Sequence, residues 1–161
     1  MKSLIRGAFA GTVATALMSA LMLAARRLGI TDTLPPEKVT SKMLRRHGIR
    51  PDRGEQDALA AGLHFAFGAA AGGLFGVIAR RVPAPRVPLG MAYGAVIWGI
   101  SYMGWVPSMG LMPRADHDER GRQTVILAGH LVFGATLGLL AGRRPRPPEA
   151  AEIHESSAED G

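Results

Sequence analysis

The side chains with the widest chemical scope are two histidines, each opening the same block: His64-Phe65-Ala66-Phe67-Gly68-Ala69 and His130-Leu131-Val132-Phe133-Gly134-Ala135. An imidazole can take up a proton near neutral pH, ligate a metal or a haem iron, or sit neutral with one donor and one acceptor nitrogen. The match continues downstream, where Gly72, Leu74 and Gly76 are answered by Gly138, Leu140 and Gly142, so the chain reads as two related halves. Both histidines lie in long apolar stretches that hold no other side chain titrating near neutral pH.

A second group, Asp116-His117-Asp118-Glu119, has metal-binding residue types. Four adjacent residues cannot all converge on one ion, and a solvated loop between helices accounts for them better. No metal site is assigned. The absence of cysteine excludes disulfides, thiolate metal sites and iron–sulfur ligation. A nucleophile motif, a phosphate-binding Gly loop and H-E-x-x-H zinc spacing are also missing, so no catalytic residue is assigned and the chain is not read as an enzyme.

The elements that must position the histidines are apolar blocks separated by charged linkers, at 7–25, 58–79, 89–106 and 123–142. Each block is about 18 to 22 residues, which at about 1.5 Å rise per residue approaches the roughly 30 Å of a bilayer's hydrocarbon core. The pattern predicts an all-α bundle of four transmembrane helices over 1–142, made of two similar helical hairpins. The tail, 143–161, is Pro-rich and then acidic, and too polar to order itself. Lys2 and Arg6 ahead of an apolar run resemble a signal-peptide start, but the run is long and closes on Arg26-Arg27, so it reads as a retained helix.

The first linker carries a helix start, Thr31-Asp32-Thr33 before Pro35-Pro36-Glu37, and a helix stop at Gly48. A short helix over 36–47 follows, with Val39 and Met43 on one face, suited to lying in the bilayer interface. At the end of the third span, Tyr102 and Trp105 are assigned as anchors at the membrane–water boundary, whereas Trp98, nearer mid-span, is assigned to packing.

Lipid tails are as apolar as leucine, so helices in a bilayer associate through close backbone approach and hydrogen bonds. Glycines at i, i+4 spacing mark such contacts: Gly7 and Gly11, Gly90 and Gly94, and the helix-packing sets Gly68, Gly72, Gly76 and Gly134, Gly138, Gly142. His64 and His130 fall on the same faces as these grooves, so both rings should face protein. Counted from the start of each apolar block, both lie roughly 9 to 10 Å below the same surface. With sequential neighbours in contact, the second and fourth spans are diagonal and the imidazoles can approach across the core. Thr136, Ser101 and Tyr93 are the polar groups available to hydrogen-bond them.

The basic balance, 19 Lys and Arg against 13 Asp and Glu, comes from residues flanking the blocks and suits anionic lipid headgroups rather than nucleic acid. The densest basic groups at helix ends, Arg80, Arg81 and Arg86 with Arg143, Arg144 and Arg146, share a side with both termini, which places the termini in the cytoplasm.

On the Gly-rich first span, the His64-x-x-Phe67-Gly68 block, Tyr93-Gly94, the Trp98 to Trp105 region, the Pro107 to Pro113 linker and His130-x-x-Phe133-Gly134, the chain resembles the YagU-like group of small bacterial inner-membrane proteins. The resemblance implies a multi-pass inner-membrane location, no assigned activity and no catalytic residues. The long basic first linker and the acidic tail have no counterpart in that group.

The expected role is therefore structural or stress-related in the cell envelope, without a cofactor, with the lipid bilayer as partner and self-association through residual Gly faces. A pH response through His64 and His130 is one elaboration, since charged imidazoles repel across the core. A bis-His b-type haem on His64 and His130 is an alternative, weakened because the same glycines suit close helix contact, which excludes a macrocycle. A small-solute or proton-linked transporter is another, disfavoured by the lack of Asp, Glu, Lys or Arg in the central part of any span.

Overall fold

The protein's structure is a computed structural model, describing residues 1–31, 35–114, 117 and 120–141. Gly142, the tail 143–161, Asp32 and Thr33 of the linker start, and Asp116, Asp118 and Glu119 of the acidic group lie outside the described residues.

The long elements among the described residues are all helical: α1 Lys2–Arg27, α2 Pro35–Arg46, α3 Arg53–Arg81, α4 Arg86–Trp98, a π-helical segment Gly99–Trp105, α5 Val106–Ser108 and α6 Arg120–Ala141. Four stretches, Lys2–Arg27, Arg53–Arg81, Arg86–Ser108 and Gly121–Ala141, are long and apolar enough to cross a membrane. Outward-facing Leu4, Ile5, Phe9, Leu63, Phe67, Ile100 and Leu139 give the bundle the apolar exterior such a crossing needs.

Helix ends follow from local chemistry. After α1, Gly29 takes a φ of 72°, its N–H donates to Arg26 O and the Ile30 N–H to Ala25 O. The same pair of bonds recurs at Gly48 and Ile49 after α2, and at Gly110 and Leu111 after α5. In each, a glycine turned left-handed lets the chain satisfy the last carbonyls, and an apolar residue follows it. At the start of α3, Asp52 Oδ1 accepts from the Glu55 N–H at 2.8 Å while Glu55 Oε2 accepts from the Asp52 N–H. This reciprocal cap starts the helix at Arg53, one polar turn and more ahead of the apolar block at 58.

The third apolar block was expected to end before Pro107, but the helical run continues to Ser108. Proline lacks an N–H and its ring clashes with the carbonyl four residues back, so a regular α-helix cannot pass through it. The π-helical turn just before it opens the backbone, and Pro107 then sits in the first turn of α5, where its missing donor costs nothing.

α1 lies antiparallel along α3, and α4 antiparallel along α6. α1 and α6 then pack together, with Met18 and Met22 of α1 filling the notch over Gly129. The core between them holds Ala10, Ala14, Met18, Met22, Phe75, Ile126, Phe133 and Leu137, with Phe75 and Leu137 fully buried. α2 packs on α3 and buries Thr40.

Candidate functional site

The site the sequence singles out is the interior around His64 and His130, and the glycine seams place it. On the first seam, a side chain on Gly72 would put its Cβ 2.6 Å from Gly11 Cα, and one on Gly76 would meet Gly7 Cα at 3.1 Å. On the second, a Cβ on Gly134 would lie 2.6 Å from the Gly90 carbonyl carbon, and one on Gly138 would lie 2.7 Å from Val87 Cα. Backbone meets backbone along both seams, so the five described glycines assigned to packing all lie at helix contacts.

Each seam ends at the level of its histidine. A Cβ on Gly68 would meet the Thr15 side chain, whose hydroxyl donates to Gly11 O at 2.8 Å, and one on Gly94 would lie 3.0 Å from the His130 carbonyl carbon. His64 and His130 are both partly buried. His64 falls eleven residues past Arg53 and His130 ten past Arg120, so the two remain level, although each sits deeper along its helix than the apolar blocks alone imply.

Their hydrogen bonding differs. His130 Nδ1 lies 2.8 Å from Ile126 O, one turn back on its own helix. A carbonyl can only accept, so Nδ1 carries the proton and Nε2 is left as the acceptor. His64 Nε2 is buried without a hydrogen-bond partner among the described residues. None of the three groups expected to hold the rings does so: Thr136 donates to Val132 O at 2.8 Å, Ser101 accepts from Trp105 Nε1 at 3.3 Å, and Tyr93 donates to Ala71 O at 2.8 Å. Threonine and serine in a helix reach their own backbone more readily than a neighbour's ring.

Tyr93 instead ties α4 to α3, with its ring 5.3 Å from that of Phe75. A tyrosine in mid-span has to find an acceptor for its hydroxyl, and that requirement was the sequence signal for this bridge. The two aromatic anchors point in different directions. Trp105 is 40 % exposed, whereas Tyr102 is 4 % exposed and stacks edge-on against Trp98 at 6.1 Å. The wider i→i+5 turn of the π segment changes which side chains face inward, and no sequence period read as α-helical shows it. Arg122, read as a flanking charge, is also buried, in the first turn of α6.

Chemically, the interior offers two imidazoles and an unpartnered indole N–H, Trp98 Nε1. Gly68 packs on Thr15, and Gly94 packs on the His130 backbone, so the helix faces next to both histidines are filled by close helix contact, which weighs against a macrocycle there. Among the described residues, no three His, Asp or Glu side chains come together to hold a metal ion.

Fold and site define an all-helical protein with four stretches long and apolar enough to cross a membrane, glycine-closed helix pairs and polar nitrogens inside. A family model described as a family of unknown function, DUF6789, matches residues 1–152, and the chain belongs to that family. No curated protein and no solved structure matches it. These comparisons provide no link to the YagU-like group.

Proposed function

We propose that the chain is a multi-pass protein of the bacterial inner membrane, composed of two similar hairpins with both termini in the cytoplasm, that acts structurally or in stress response within the envelope. It is non-catalytic in this reading, and its partner is the lipid bilayer. The observation that carries the reading is the backbone-to-backbone contact along both helix pairs. A bundle closed in this way is suited to holding a shape, and less suited to opening a path for solute. α2, amphipathic and seated on α3, serves as the interfacial helix of the first hairpin.

His64 and His130 supply a way to respond to acid. Protonating either ring puts a cation into a partly buried position, and His64 Nε2 has no hydrogen-bond partner among the described residues.

The reading is tested in two experiments. A strain lacking the protein should be sensitised to acid and to envelope-active detergents, with rescue by the wild type and weaker acid rescue by a His64→Gln/His130→Gln variant. Proteoliposomes holding the purified chain should show no solute or proton flux above empty vesicles; flux abolished by His130→Ala would replace the structural reading with a transporter.

A further inference from the structure

Away from the histidines, the ends of α1, α2 and α3 enclose a cavity of about 270 Å³ lined by Arg26, Glu37, Lys38, Ser41, Arg53, Gln56 and Asp57. It is a polar pocket at the point where two apolar helices leave the span, on the face opposite the N-terminus. We propose that this cavity seats a phosphoethanolamine group, the zwitterionic phosphodiester headgroup of an ethanolamine phospholipid.

Charge pairing in the cavity is incomplete in a particular way. Arg26 and Glu37 hold each other at 3.0 Å, fixing α2 against the end of α1. Lys38, Arg53 and Asp57 have no ion-pair or hydrogen-bond partner for their charged groups among the described residues. Lys38 is half-buried while Arg53 and Asp57 stand exposed at the open side of the pocket, so two cations and a carboxylate meet a ligand arriving from outside, and one carrying both signs answers all three. A phosphodiester oxygen accepts from the Lys38 ammonium and the Arg53 guanidinium, and a primary ammonium donates to the Asp57 carboxylate. A quaternary choline has no N–H to give that carboxylate, and a glycerol headgroup has no cation for it. The volume, equal to about nine waters at roughly 30 Å³ each, accommodates a group of this size with some water left in place.

The location favours the lipid as its source. Arg26 lies in the last turn of α1 and Arg53 and Asp57 in the first turns of α3, just beyond the apolar stretches, where headgroups lie when those stretches fill the hydrocarbon core. Free phosphoethanolamine, a phosphomonoester, offers the same phosphoryl oxygens and primary ammonium, so the experiment separates the two.

The full chain in detergent is mixed with phosphatidylethanolamine, phosphatidylcholine or phosphatidylglycerol and retained lipid is counted by native mass spectrometry; water-soluble phosphoethanolamine is titrated in a parallel arm. Phosphatidylethanolamine should be retained in preference to the other two, and Lys38→Gln/Arg53→Gln should weaken it by about tenfold or more. Asp57→Asn should remove the preference over phosphatidylglycerol while leaving phosphate binding in place. Ser41→Leu, which fills the cavity and keeps every charge, should weaken binding as well, and helix content measured by circular dichroism should stay at the wild-type value in all three variants. Binding of phosphoethanolamine alone at comparable strength supports the site and assigns it a soluble ligand. Equal retention of all three lipids, or retention indifferent to Lys38, Arg53 and Ser41, overturns the proposal.

Discussion

The His64 and His130 blocks share a sequence pattern but not an environment. His130 is held by a carbonyl of its own helix, and the glycine face beside it packs on Gly90 and Gly94. His64 keeps a buried nitrogen unpartnered, and its glycine face packs on Gly7, Gly11 and Thr15. Beyond the contact level the partner helices diverge too: α1 runs on as regular helix to Arg27, whereas α4 opens into the π turn at Gly99. A repeated motif thus sets the same close approach twice, and the helix facing it determines what the imidazole does. The two seams are equally close, and the second histidine is the one with a hydrogen bond to its own helix.

The largest effect expected from breaking that comparison is at the seams. Gly72→Leu and Gly134→Leu each drive a side chain into facing backbone, which cannot yield as a flexible side chain would. Each should cost about 3 kcal/mol or more and convert a single size-exclusion peak in detergent to aggregate. Gly62→Leu, at a position with nothing within 4 Å, should leave the peak unchanged.

Next comes the bridge between the halves. Tyr93→Phe keeps the ring against Phe75 and removes the bond to Ala71 O, so thermal unfolding in detergent should register a loss of about 1 kcal/mol. A similar loss, about 1 kcal/mol, is expected from Asp52→Ala, read as earlier exchange of the first-turn amides of α3. The histidines are distinguished by pH. Stability in detergent should fall as the pH drops, because charging a buried ring is unfavourable; the double substitution His64→Gln/His130→Gln should flatten that profile, and His64→Gln alone should flatten it more than His130→Gln. The smallest effect is at Gly62→Ala, which trades backbone freedom for helix propensity at an open position and should stabilise by about 0.5 to 1 kcal/mol.

Much of the scaffold was readable from particular residues. The apolar blocks 7–25, 58–79 and 89–106, and the described part of 123–142, fall inside the four long helical stretches, Gly48 ends α2 as its position suggests, and the linker helix expected over 36–47 runs Pro35–Arg46. Glycines at i, i+4 spacing pointed to the contact faces because nothing but backbone occupies them. Other features depend on partners that only the fold assembles. The Asp52–Glu55 cap is a local signal, and it sets the start of α3 ahead of the hydropathy boundary. Tyr102 turns inward because of a π turn whose wider hydrogen-bonding ring leaves no period in a short sequence. The partners of Tyr93 and Thr136 could not be told apart in advance, since a hydroxyl in a helix has both its own carbonyls and its neighbours' within reach.

The central claim is that glycine backbones close both helix pairs in the membrane. Solid-state NMR on the chain in bilayers, with glycine Cα carbons labelled, tests it most directly through interhelical contacts between Gly11 and Gly72 and between Gly90 and Gly134. Cross-peaks for both pairs, without lipid contacts at those carbons, are the predicted result. Lipid acyl contacts at Gly72 or Gly134, with no glycine-to-glycine transfer, would contradict the account.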